Sequence, residues 1–359
     1  MTALVLLTCL GAPPEPPAVV KAEPDAKLTA KFRRTDGWVG GDGAFSVALS
    51  DKRALWLFSD TWVGSVRDGK RKEVALVNNT VGVQDGTGPD SELLFAVRKG
   101  DDGKPAALLT PPDGKGWFWP FAGHVADDKL HIFLPRWEKT AGGGAFAFKP
   151  IDLWLGTIDK PGADPLTWKP KYAKVPFAEF GGERKRSFGS AVLTVGDHAY
   201  MYGYEEKPTK LFPSRGLLVA RVAKDQLADF DKWRFYANGE WKPDAKDATS
   251  SGSGLAVEFS VSYLPGLKRY ALVYTENGLG ERVVGRFASA PEGPWSEPVL
   301  LYTCPKTDKK LFTYAAKAHP HLATGNELVI SYVVNAHELG PVINNADLYW
   351  PMFVRITLK

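Results

Sequence analysis

Cysteine is scarce: among 359 residues there are only Cys9 and Cys304. That count excludes a disulfide framework and a cysteine-built zinc site. An excess of one charge is missing too. The 45 Lys+Arg stand against 41 Asp+Glu, a formal net charge of +4 with the signs interspersed. No basic stripe is present, so a nucleic-acid partner is not expected. No run approaches the ~18 apolar residues that a membrane helix needs, so no membrane span is expected either. A sustained helical period is absent, and only Lys224–Arg234 could form a turn or two.

Glycine, proline and aromatic residues are abundant instead: Gly 36, Pro 27, Trp 12, Tyr 12 and Phe 19. With 44% hydrophobic and 24% charged residues, the chain has globular composition. The mixture suits many short strands joined by tight turns. Residues Ala3 to Ala12 form an apolar stretch of signal-peptide length, without a basic segment before it. Residues 1–12 are therefore expected to be an export signal, placing the protein in the periplasm or outside the cell. A mis-assigned start or a frayed tail is the plainer alternative. Residues 13–27, opening with Pro-Pro-Glu-Pro-Pro, read as a Pro-rich linker, and 28–359 as a single domain.

Within that domain one design recurs five times: an apolar strand, a short turn with Asp, Gly or Asn, and a strand ending in aromatic residues. The five first strands are Ala44–Leu49, Phe118–Ala126, Ser187–Val195, Ala256–Tyr263 and Ala315–Leu322. Their partners run through Leu57-Phe58, Ile132-Phe133, Met201-Tyr202, Val273-Tyr274 and Ser331-Tyr332. Further strand-like runs, such as Val74–Val83 and Val283–Ser289, would complete four-stranded units. Repeating sheets that pack face to face close into a ring, so the expected fold is an all-β, five-bladed β-propeller. Two β-sandwiches are the alternative.

The offset that lays Leu57-Phe58-Ser59-Asp60 on Val273-Tyr274-Thr275-Glu276 also lays Asp42 on Glu258 and Ser46 on Ser262. Similar alignment brings Trp117 and Ser187 to that level. Inner strands of a propeller line a central funnel, so Asp42 and Glu258 could share one cavity. Two carboxyls facing a cavity suit glycosidic cleavage: one protonates the leaving oxygen, while the other acts as base or nucleophile. In this reading Asp42 is base or nucleophile and Glu258 is the acid. The plainer reading of Asp42 is a turn residue between glycines. Glu258 is a lone charge in an apolar stretch and needs a partner or a task. Asp60 could orient the others or serve as a turn residue.

Trp117 and Trp119, with Trp62, could stack against sugar rings, or pack between sheets. Arg186, in Glu183-Arg184-Lys185-Arg186, could rim the funnel, although such charge runs are usually solvated. His319 and His321 fall on one side of a strand and could touch substrate or a central cation, although a His pair without matching acids is a weak metal signal. His124 reads as structural.

Several segments also resemble a known family. Gly41-Asp42-Gly43, Leu57-Phe58-Ser59-Asp60-Thr61-Trp62, Asn78-Asn79-Thr80, Trp119-Pro120 and Ala318-His319-Pro320-His321 resemble a bacterial domain-of-unknown-function family. That family is similar to endo-D-arabinanases of the five-bladed propeller type. The stretch Ser289-Ala290-Pro291-Glu292-Gly293-Pro294-Trp295 also looks like a blade segment of arabinanases, xylosidases and invertases. The resemblance implies a glycan-hydrolase fold with an acidic funnel. It implies Asp, Asp and Glu on the first three blades, yet only Asp42 matches; Trp117 and Ser187 occupy the other two positions.

The expected protein is an exported monomeric glycoside hydrolase acting on furanoside-rich, arabinan-like or related polysaccharides. Asp42 and Glu258 are its catalytic candidates; Asp60, Trp117, Trp119, Arg186, Ser187 and His319 are its substrate-binding candidates. No catalytic metal or cofactor is expected, with a structural Ca2+ as the one option left open. A non-catalytic carbohydrate-binding propeller and a protein-binding scaffold are the rival readings.

Overall fold

In the computed structural model, residues 12–86, 91–142, 144, 147–209, 213–305 and 309–359 are described. The expected signal segment lies outside them, apart from Ala12. Strand-favouring runs between turn formers become antiparallel sheets throughout the chain. The first sheet orders Phe45–Ser50, Arg53–Phe58, Thr80–Asp85 and Glu92–Ala96. In the second, Gly123–Ala126 and Trp117–Phe118 both pair with Lys129–Lys139, followed by Phe148–Asp159 and Lys171–Lys174. The third runs Lys185–Val195, His198–Lys207, Ser214–Ala223, Arg234–Ala237 and Glu240–Lys242. The fourth is Phe259–Leu264, Arg269–Thr275, Arg282–Ala288 and Val299–Thr303, and the fifth begins Leu311–Ala318, Glu327–Ala336.

The hairpin turns follow from their residues. Asp127 and Asp128 both adopt left-handed conformations, φ 49° and 57°, which Asp tolerates and which match the twist of a two-residue hairpin. Successive first strands touch one another: Phe45–Ser50 meets Gly123–Ala126, which meets Lys185–Val195, then Phe259–Leu264, then Leu311–Ala318. Between the sheets lie buried aliphatic and aromatic residues such as Leu57, Phe133, Tyr202, Trp233 and Val284. A further cluster, including Phe287, Ala316 and Ile330, joins the fourth sheet to the fifth.

Two features depart from the sequence expectation. The segment read as a linker contains the strand Val19–Pro24, which pairs with Pro351–Leu358 and so supplies the last strand of the fifth sheet. Asp25 then caps the helix Ala26–Phe32, its Oδ1 accepting from the Leu28 amide at 3.0 Å. A three-stranded sheet of Asp36–Gly41, Thr61–Arg67 and Lys70–Val77 is the second departure. Buried Arg71 ties it to the helix Leu339–Asn344, donating to the carbonyls of Val39, Val342 and Leu348 at 2.6–2.8 Å. Burial lowers its pKa to about 10, so the guanidinium stays charged at neutral pH. This sheet and helix form one wall of the site.

Candidate active site

Asp42 occupies the tight turn between Gly41 and Phe45. Its amide donates to the Asp60 carbonyl at 3.1 Å, and its carbonyl accepts from the Ser59 amide at 3.0 Å. Gly43 beside it has φ +79°, and a Cβ there would sit 3.1 Å from the Ser59 nitrogen. A glycine is thus required where the two turns approach. The paired turns bring Asp42 and Asp60 to one place.

Glu258 immediately precedes the strand Phe259–Leu264. From the fifth sheet, Lys317 Nζ reaches Glu258 Oε2 at 3.1 Å and also donates to the carbonyls of Gly43 and Ala315. Tyr314 donates to Asp42 Oδ2 at 2.5 Å, and Tyr349 donates to the same oxygen at 2.8 Å. In a regular strand, side chains three residues apart face opposite ways. Here the register shifts between Tyr314 and Lys317, and Ala315 has φ 60°. The extra residue of this bulge lets both side chains serve the same site.

Asp42, Asp60 and Glu258 line one cavity of about 280 Å³. Trp62, Trp119, Phe121, Trp137, Phe148 and Phe312 give it an aromatic wall. Trp119 Nε1 donates to Asp60 Oδ1 at 2.8 Å, and Asn78 Nδ2 to the same oxygen at 3.2 Å. A broader cavity of about 840 Å³ shares Val257, Glu258, Leu279 and Tyr314 with the first. Glu258 therefore stands where the two spaces adjoin.

Burial pushes the Asp42 carboxyl up to about 8, with the charges of Asp60 and Glu258 adding to it and the tyrosine hydrogen bonds opposing. Its Oδ1 is sealed from solvent and has no hydrogen-bond partner among the described residues. Asp60 rises to about 6, again through burial, opposed by Trp119 and Asn78. Burial lowers Lys317, against the pull of Glu258 and Asp42. The site thus combines a carboxyl that keeps its proton near neutrality with one paired to an ammonium group. Such a split is what proton transfer at two faces of a bond requires.

The family described as "Domain of unknown function (DUF5005)" matches residues 25–358. The chain belongs to the DUF5005 family. No curated protein matches the sequence. Among solved structures, a "putative hydrolase" from Bacteroides ovatus aligns with TM-score 0.73 at 20% identity, covering 93% of this chain and 90% of that one. The GH43_1 enzyme from Xanthomonas citri complexed with xylose aligns with TM-score 0.50 at 16% identity, covering 93% of each chain. This DUF5005 chain accordingly has an all-β fold similar to that of GH43 glycoside hydrolases, which are propellers.

The DUF5005 cavity gathers Asp42, Asp60, Trp62, Trp119 and Glu258 from among the sequence candidates. It does not gather the rest. Trp117 packs on Trp119, ring centroids 5.8 Å apart, without lining the cavity. Arg186 is buried, donating to Glu205 at 2.8 Å and to carbonyls of the 245–248 turn. Ser187 is fully buried where the third sheet's first hairpin changes register. His319 is fully buried between Ser46 and Ser331, each hydroxyl 2.8 Å from a ring nitrogen. It is a neutral pin between the fifth and first sheets, with its pKa held well below the usual range by burial. Among the described residues, no three His, Cys, Asp or Glu side chains are grouped to hold a metal ion, so the optional Ca2+ finds no such cluster there.

Lys317, Tyr314, Tyr349 and Trp137 were not singled out from sequence. Lys317 carried a usable signal: it is a lone charge in Ala315-Ala316-Lys317-Ala318, the same oddity that drew attention to Glu258. The tyrosines carried none.

Proposed function

We propose that the five successive sheets are the blades of a five-bladed β-propeller and that the protein is a glycoside hydrolase. The Val19–Pro24 strand in the fifth sheet, and the bonds from Lys317 and His319 to Gly43 and Ser46, support the ring. One observation carries the hydrolase reading: three carboxyls converge on an aromatic-walled cavity, one disposed to hold a proton and one bound to Lys317. The apolar faces of sugar rings suit such a wall, and the broader adjoining cavity leaves room for the chain beyond the cleaved bond.

The electrostatics favour the reverse of the roles expected from sequence. Asp42 enters protonated and donates to the leaving glycosidic oxygen. Glu258, held by Lys317, acts at the anomeric carbon as base toward water or as nucleophile. Asp60, positioned by Trp119 and Asn78, keeps a negative charge beside Asp42 and helps hold its proton. Arabinan-like furanosides are the first substrates to try, because of the family resemblance. Xylo-oligosaccharides follow, because the Xanthomonas citri structure holds xylose.

Leaving-group dependence tests the assignment. A glycoside with a dinitrophenolate leaving group needs no proton donor. Asp42→Asn should therefore retain activity on it while losing about 10²–10⁴-fold on the glycan. Glu258→Gln should lose activity on both. The opposite pattern would return Asp42 to the base role. A wild-type protein that binds glycans but releases no reducing ends would instead support the carbohydrate-binding reading.

A further inference from the structure

Between the third and fourth sheets lies a cavity of about 280 Å³ that shares no lining residue with the aromatic one. Buried Leu217, Val219 and Leu272 line it from the two sheets, and exposed Asn238 and Ser251 line it nearer solvent. Two buried polar atoms of its lining residues, Glu292 Oε2 and Trp295 Nε1, have no hydrogen-bond partner among the described residues. Buried polar groups are nearly always paired, so an acceptor and a donor left unpaired on two residues that line one pocket point to a ligand or water that completes them once their side chains turn toward it. Both residues belong to the Pro291-Glu292-Gly293-Pro294-Trp295 segment.

Charge on the walls narrows the class of ligand. Arg286 also lines the cavity, its hydrogen bonds going to the Tyr274 hydroxyl and the carbonyls of Ser253 and Ser296. A cation would meet this guanidinium, and an anion would meet Glu292 and Glu297. A neutral, polyhydroxylated ligand meets neither penalty. Its hydroxyls can donate to Glu292 and accept from Trp295, and its C–H face can lie on the leucine and valine side chains. Position adds a second argument. Ser253, Arg286 and Glu297 line both this pocket and the broader cavity that Glu258 borders. The three spaces therefore adjoin in series.

We propose that this pocket is a distal saccharide site, taking one neutral sugar residue of a glycan whose chain leads toward Glu258. The choice of ligand class rests on the hydrolase reading, whereas the open donor and acceptor do not.

The test is affinity electrophoresis through gels containing soluble arabinan, xylan or galactan, with initial rates on a trisaccharide measured in parallel. Wild type should be retarded by at least one polymer. Glu292→Ala should weaken that retardation about tenfold or more, as expected for loss of a charged hydrogen-bond acceptor. Ser251→Trp, a change at an exposed position with ordinary φ, should block the pocket and do the same if Glu292→Ala melts early. Both variants should keep the wild-type rate on the trisaccharide. Unchanged retardation in both folded variants, or no retardation of wild type by any polymer, would overturn the proposal. Retardation lost in the variants of a protein that hydrolyses nothing would sink the hydrolase reading and leave the distal site standing.

Discussion

Asp42 shows how burying a carboxyl leaves a mark on stability. Its folded pKa, about 8, lies above the ordinary carboxylate value of 3.8. Between those values the native state holds a proton that the unfolded chain has released, so stability falls as pH rises and levels off above about 8. Asp42→Asn removes that dependence. The variant should be less active yet more stable than wild type at pH 8, by up to ~3 kcal/mol, with the gap closing toward pH 4. Thermal melts at the two pH values check this; an equal gap at both would contradict the cause given. Lys317 makes the complementary case. Lys317→Met leaves the Glu258 carboxylate and the Gly43 carbonyl without the donor they share. With that carboxylate no longer held in place, kcat should fall about tenfold or more. An unchanged kcat in the folded variant would reduce Lys317 to a packing role. At this scale the sequence revealed charges in unexpected places, such as Glu258, but not their partners. Arg186 and His319 looked available because their partners, Glu205 and the two serines, lie 12 or more residues away along the chain.

Among the elements, hairpins were legible and irregularities were not. Alternating apolar runs around Asp-Asp or Pro-Gly mark the strands, because the side-chain period and turn chemistry are local. The strand boundaries moved where the backbone departs from that period. The fifth unit's first strand is Leu311–Ala318, not Ala315–Leu322, and the bulge at Ala315 lies inside it. Ala315→Gly should keep stability within about 1 kcal/mol of wild type, because glycine adopts positive φ freely. Ala315→Val should cost about 2 kcal/mol or more and impair activity, by displacing Tyr314 and Lys317 together. Urea unfolding and initial rates measure both; equal stability of the two variants would remove the bulge from the account. A similar shift lies between Phe188 and Ala191, where Gly189 has φ +85° and a Cβ would fall 2.1 Å from the Phe133 ring. This packing holds the neighbouring Ser187 in the core, and nothing in a run such as Ser187–Val195 announces it.

For the molecule as a whole, the repeat was visible because each unit carries the same apolar and turn pattern. What the pattern could not show was the use made of residues 13–27. Pro-rich composition argued for a linker, but Val19–Pro24 forms the edge of the fifth sheet, and Ala18 and Lys359 exchange amide–carbonyl bonds at 2.9 Å. Such pairing joins sequence ends that no local rule connects. Deleting residues 1–24 should uncover Pro351–Leu358 and lower the melting temperature by several degrees, while leaving a folded, aggregation-prone protein. A truncated protein that melts like the full chain would show that the strand adds nothing.

The most direct test of the central claim is release of reducing ends from arabinan, xylan and galactan by wild type and by Glu258→Gln at equal concentration. The account requires turnover of at least one polymer by wild type and a fall of about 10²-fold or more in the variant, with its melting curve intact. Equal rates in the two proteins would show that hydrolysis, wherever it occurs, does not depend on Glu258.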